Sequence, residues 1–158
     1  MAGETDRILE RAITLTRTFD APRELVFRMW TESAHLARWW GPKGFTNPVC
    51  EADARPGGAL RIVMRAPDGT EYPMRGEFRE VVPPERLVFT NFAVDAEDRP
   101  ILDGLTTVSF SEAGGKTMIV VETRAAGIAR SVAGMLDGME IGWSQSLDRL
   151  QDYVDARR

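Results

Sequence analysis

The chain of 158 residues is 43% hydrophobic and 28% charged, ordinary values for a globular fold long enough to build a core. A net charge of -4, with Arg and Lys scattered along the sequence, excludes the electropositive footprint of a nucleic-acid binder. No run reaches the ~18 consecutive apolar residues that read as a membrane span, and the lone cysteine, Cys50, excludes an internal disulfide and predicts a cytoplasmic setting.

Met1 to Arg11 carries Glu4, Asp6, Arg7, Glu10 and Arg11 without an apolar centre, so it is not expected to be a secretory signal. Ile13, Leu15, Arg17 and Phe19 alternate with three threonines, which predicts a first strand. Asp20-Ala21-Pro22-Arg23-Glu24 then opens a short helix whose buried side is Leu25, Val26, Met29 and Trp30, with Pro22 in its first turn. Thr31 or Ser33 can cap a second short helix carrying Leu36, Trp39 and Trp40, which Gly41-Pro42 stops.

From Phe45 the pattern is strand and turn. Phe45 to Ala54 predicts a strand closed by Arg55-Pro56-Gly57-Gly58; Leu60, Ile62 and Met64 alternate in the next, which Pro67-Asp68-Gly69 turns. Tyr72, Met74, Gly76 and Phe78 share one face of the return strand, and Leu87 to Phe92 follows the Pro83-Pro84-Glu85-Arg86 turn. Ala93 to Gly104, rich in Asp and Glu, reads as the longest connection. Thr106 to Ser111 and Thr117 to Thr123 are strands joined at Gly114-Gly115, a strong hairpin signal. Successive strands with tight turns predict antiparallel pairing with one face packed.

The last stretch, Ser131 to Val154, places Val132, Met135, Met139, Trp143, Leu147, Leu150 and Val154 on one face of a helix. About 24 residues would make a rod of roughly 36 Å. Glycine recurs at Gly134, Gly138 and Gly142, each costing roughly 1 kcal/mol against alanine. Two readings stand: close approach of the helix backbone to the sheet, or a smooth wall that leaves room for a ligand. A curved sheet cannot leave its apolar face bare, and this helix is the one long element able to cover it. The expected architecture is therefore α+β, a curved antiparallel sheet of about seven strands gripping a long C-terminal helix, with two short helices after the first strand. One domain is expected over residues 1–158.

That order of elements resembles the helix-grip arrangement of the lipid-transfer and birch-pollen-allergen-like (START, SRPBCC) superfamily. Asp20-Ala21-Pro22-Arg23-Glu24-Leu25-Val26-Phe27, Trp39-Trp40-Gly41-Pro42, Arg55-Pro56-Gly57-Gly58, Pro83-Pro84-Glu85-Arg86-Leu87 and Gly142-Trp143 are similar to its branch named for the activator of heat-shock protein 90 ATPase. The resemblance covers roughly residues 11 to 155. It implies a cavity between sheet and long helix that holds apolar molecules or polyketide-like rings. The eukaryotic co-chaperones of that name carry an additional domain, for which no counterpart is expected here.

Candidate chemistry is sparse. His35 and Cys50 are single, so neither a zinc site nor a histidine-activated thiol is expected, and no cofactor or metal is predicted. Asp95, Glu97, Asp98 and Asp103 lack the spacing of a calcium loop and read as solvated. Arg61, Arg75 and Glu77 alternate with the apolar positions and are expected to face solvent; a strongly curled sheet would instead turn them inward as a polar cluster for a ligand. The expected ligand-binding residues are Trp39, Trp40, Met64, Met74, Phe78, Met135, Met139 and Trp143, with His35, Arg75 and Glu77 as polar candidates. Methionine suits irregular apolar surfaces that accept more than one shape. Binding of a hydrophobic or aromatic small molecule leads. The alternatives are an interaction module for a chaperone ATPase, or a cyclase- or hydrolase-type enzyme acting on a bound ring, for which no catalytic constellation is recognisable. A homodimer is a further possible partner.

Overall fold

The computed structural model describes residues 8–157; the first residues of the stretch Met1 to Arg11 lie outside them. Its elements run β1 (Ile8–Phe19), α1 (Arg23–Thr31), α2 (Ser33–Trp39), β2 (Thr46–Ala52), β3 (Ala59–Arg65), β4 (Glu71–Val82), β5 (Arg86–Val94), β6 (Pro100–Ala113), β7 (Lys116–Ile128), α3 (Ala129–Asp137) and α4 (Met139–Asp155). The strands form one antiparallel sheet ordered β1-β7-β6-β5-β4-β3-β2. The strand that opens the chain therefore closes the sheet beside the last one. This is the α+β helix-grip architecture, with α1 and α2 at one end and the C-terminal helices across the concave face.

Alternation sets the two faces. Leu60, Ile62, Met74, Phe78, Leu87, Phe89, Val108, Phe110, Ile119 and Val121 are buried on the concave side, against Phe19, Met29, Trp30, Leu36, Trp39, Leu147, Leu150 and Val154. Arg61, Arg75 and Glu77 stand on the other face in exposed pairs with Glu51, Asp98 and Arg79. Such exposed pairs contribute little to stability. The Gly114-Gly115 turn has φ of +61° and +77°, the left-handed pair a two-residue hairpin needs. At Gly76 the sheet demands glycine for a different reason: a Cβ there would fall 1.8 Å from the Thr90 carbonyl oxygen.

Three expectations are corrected. Ala93 to Gly104 is not a long connection, because β5 and β6 run into it and leave a tight turn. Asp95 organises that turn: one carboxylate oxygen accepts from the backbone N–H groups of Glu97 and Arg99, 2.9 Å each. Those bonds, Arg99's foremost, hold its pKa below the ordinary carboxylate value. The second correction concerns caps. Neither short helix has a side-chain cap; Pro22 precedes α1, and the Ser33 hydroxyl instead accepts from the Ala52 N–H at 2.9 Å, tying α2 to β2.

The third is the C-terminal rod, which is two helices. Gly138, at φ -89° and ψ -1°, separates α3 from α4. The two halves pack into different clusters. Val132 and Leu136 of α3 pack on Ala125 in a small separate cluster with Leu9, Leu102 and Met139, whereas α4 buries Leu147, Leu150 and Val154 in the main core. The predicted stripe runs through Met135, although Leu136 fits the same spacing after Val132. Leu136 takes the inward place beside Val132, one turn on, at 4% exposure, and Met135 is left 37% exposed. Glycine, the weakest helix former after proline, is where such a break costs least.

Candidate functional site: a cavity between sheet and C-terminal helices

The close approach of glycines to the sheet does not occur. Nothing lies within 4 Å of where a Cβ on Gly134 would stand, and at Gly142 the nearest such atom is Pro42 Cγ at 3.9 Å. Gly134 and Gly138 are exposed to solvent, while Gly142 borders a half-open cavity of about 230 Å³ on the concave side. Its walls come from the loop after α2 (Trp40, Gly41, Pro42), from β3 and β4 (Met64, Tyr72, Met74), from β5 to β7 (Asn91, Ala93, Leu102, Thr123, Ala125), and from α3 and α4 (Met135, Leu136, Met139, Gly142, Trp143, Ser146). No Asp, Glu, Lys, Arg or His is among the lining residues.

One end is aromatic. The Trp40 and Trp143 rings meet edge to face, centroids 5.4 Å apart, and Trp143 stacks 6.3 Å from Trp30. The loop that presents Trp40 is fastened to α4 by three side chains. Arg149 Nη1 donates to the carbonyl oxygens of Trp40, Gly41 and Pro42 at 2.9, 2.9 and 3.0 Å. Ser146 Oγ accepts from the Gly41 N–H at 3.1 Å and donates to the Gly142 carbonyl at 3.0 Å. Gln145 Oε1 accepts from the Lys43 N–H at 3.0 Å. Gly41 takes φ of +97°, a conformation glycine adopts without strain, and thereby turns its carbonyl toward the guanidinium. Asn47 Nδ2 adds bonds to the Ala37 and Trp40 carbonyls from the other side, 2.9 Å each. Partial burial lowers the pKa of Arg149 through desolvation.

The structure brings together Trp40, Met64, Met74, Met135, Met139 and Trp143 on the cavity wall. Trp39 and Phe78 sit elsewhere, wholly in the packed core at 0% and 1% exposure. Trp39 faces Trp30 at 4.6 Å and its Nε1–H donates to the Met29 carbonyl at 2.9 Å, so it has a structural task. His35 is outside the cavity as well. Its Nδ1 pairs with the Tyr153 hydroxyl at 2.7 Å, and the Arg157 guanidinium lies 3.4 Å over the Tyr153 ring. Arg75 and Glu77 are on the opposite face of the sheet. Cys50 is half-buried, and burial together with Glu51 pushes its thiol up to about 11, so it stays protonated at neutral pH.

Asn91, Thr123 and Ser146 are wall residues not expected from composition, and Tyr72 joins them at the wall. A signal existed for two of them. Asn91 shares the inward parity of Leu87 and Phe89, and Thr123 that of Ile119 and Val121. A polar residue in phase with buried ones needs a reason. Among the described residues no group of three or more His, Cys, Asp or Glu could hold a metal ion, and no helix is long and apolar enough to cross a membrane.

A curved antiparallel sheet closed by C-terminal helices, with a cavity where they meet, defines a protein of the helix-grip class. The chain belongs to the family of Activator of Hsp90 ATPase homolog 1-like proteins, whose model matches residues 20–155. It is similar to a protein of Chromobacterium violaceum of known structure, with 32% identity, a TM-score of 0.76, and 90% of this chain and 96% of that one covered. The AHSA1 protein of Silicibacter pomeroyi is 25% identical with a TM-score of 0.81, covering 94% of this chain and 100% of that one. A Rhizobium leguminosarum protein, 24% identical over 96% of this chain and 98% of its own, shares the fold with a TM-score of 0.80. No functionally curated protein matches the chain significantly.

Proposed function

We propose that this protein binds a hydrophobic or aromatic small molecule in the cavity between the concave sheet face and α3–α4. The carrying observation is the cavity itself, about 230 Å³ walled by methionine, tryptophan and small residues, without a charged side chain. A void of about 150 Å³ already admits benzene, so a bicyclic ring reaching through the open side is a fitting size. Burying roughly 200 Å² of apolar ligand surface contributes about 5 kcal/mol at 25 cal/mol per Å², which corresponds to dissociation constants on the order of 0.1 mM. Polar groups that pair well would tighten this.

Native mass spectrometry of the protein as purified, together with a panel of apolar fluorescent dyes, tests the proposal. Retained small molecules, or dye binding that Trp143→Asp abolishes in a folded variant, is the expected outcome. No retained mass and no dye binding would sink it. A change in the ATPase rate of the host's own chaperone on adding the protein would move the reading to an interaction module, the role the family's name carries.

A further inference from the structure

Within the apolar cavity one polar device is built across three neighbouring strands. Thr106 Oγ1 on β6 donates to Asn91 Oδ1 on β5 at 3.0 Å, and the hydroxyls of Thr106 and Thr123 on β7 lie 2.8 Å apart. A hydroxyl has one proton to give. Thr106 gives its proton to Asn91, so Thr123 must donate to Thr106, and the chain has a direction: Thr123 to Thr106 to Asn91. Its end is the Asn91 amide. The oxygen of that amide is taken, while Nδ2, with two N–H groups, has no partner among the described residues. Asn91 and Thr123 both line the cavity.

The position of the amide depends on its neighbour across the ladder. Gly104 is the register partner of Asn91, and a Cβ there would stand 2.7 Å from Nδ2. Glycine therefore leaves the space the amide occupies. The remaining wall hydroxyl well inside, Ser146, has both donor and acceptor roles filled by the backbone of Gly41 and Gly142. On the strand side of the wall Asn91 is thus the free donor, with the indole N–H groups of Trp40 and Trp143 at the aromatic end, in a cavity without a counter-ion for any charge.

We propose that the cavity selects neutral ligands bearing an acceptor oxygen, of the aryl ketone or quinone class, which the Asn91 amide N–H receives; this rests on the small-molecule reading above. An ionised ligand would lose its hydration with no opposite charge to meet it. A pure hydrocarbon would leave the amide N–H unpaired.

Calorimetric titration with 2-acetylnaphthalene, its near-isostere 2-isopropylnaphthalene and 2-naphthoate at neutral pH tests this, on the full chain and on Asn91→Leu. Comparing each probe between the two proteins cancels the different water solubilities of ketone and hydrocarbon. The expected result is a roughly threefold to tenfold loss of ketone affinity in Asn91→Leu, one hydrogen bond's worth, with hydrocarbon affinity unchanged or improved. In the unaltered protein the Asn91 side-chain amide resonances should shift on adding ketone and not on adding hydrocarbon, a readout that stands even if the variant folds poorly. Equal losses for both probes, or an amide signal that ignores the ketone, would overturn the acceptor-oxygen inference and leave the small-molecule reading intact. Naphthoate binding as tightly as the ketone would overturn the requirement for neutrality. Failure of all three probes to bind the unaltered protein would take down the small-molecule reading and this inference with it.

Discussion

Replacing Arg149 by methionine keeps most of the side chain's stem and removes the guanidinium that fastens the Trp40–Pro42 loop to α4. Three carbonyl oxygens lie 2.9, 2.9 and 3.0 Å from one nitrogen, with a fourth contact from Nη2 to the Arg38 carbonyl at 3.3 Å. Hydrogen bonds to a charged group are worth about 1.5–3 kcal/mol each, but one nitrogen with two protons cannot make three full bonds. The carbonyls are also only part-buried and can recover water. A loss of about 2–3 kcal/mol follows, or roughly 4–12 °C in Tm for a chain of this size. Urea unfolding followed by tryptophan fluorescence measures it, with an unchanged slope expected because the core stays closed. Arg149→Lys should recover less than half, since a point ammonium cannot span three carbonyls as a planar fork does. The effect should survive high salt better than a surface ion pair, because its partners are neutral dipoles. A methionine variant within about 0.5 kcal/mol of the parent would refute the idea that this contact holds the cavity's aromatic end.

Gly134→Ala should stabilise the protein by up to about 1 kcal/mol in thermal melts, because alanine is the better helix former and open space awaits the methyl; a lower Tm would mean the α3 backbone is tighter than its surroundings indicate. Gly76→Ala should cost more than about 2 kcal/mol, the range of serious strain, since its Cβ would collide with the Thr90 carbonyl at 1.8 Å; denaturant midpoints read this directly, and a neutral result would contradict the β4–β5 geometry. Cys50 should resist thiol reagents at pH 8 in the native state and react on unfolding. Its folded pKa of about 11 stands above the ordinary value of 9.0, so the contribution of the protonated thiol is complete below pH 9 and is lost as pH rises toward 11. Faster labelling of native than of unfolded protein would reverse that assignment.

Much of the fold is legible because its signals are local. The inward parity of Leu60 and Ile62, the left-handed pair at Gly114-Gly115 and the 3.6-residue spacing of Leu147, Leu150 and Val154 are each written within a few residues. Even so, proline at the head of α1 is more telling than the hydroxyls of Thr31 and Ser33 at the start of α2, since Ser33 turns to β2 instead. Signals on this scale cannot say how far one layer stands from the next. Adjacent Trp39 and Trp40 look alike in sequence, yet one fills the core and the other walls the cavity.

Local periodicity by itself determined the strand order along the chain, the face each strand buries and the presence of a C-terminal cover. Tertiary structure alone decided that the cover breaks at Gly138, that Met64 and Trp143 border space while Phe78 does not, and that Arg149 holds a loop 107 to 109 residues away. Periodicity repeats over a turn of helix or a pair of strand residues and carries that information directly. Voids and long-range hydrogen bonds arise only when surfaces far apart in the chain meet, and their existence depends on how closely those surfaces fit.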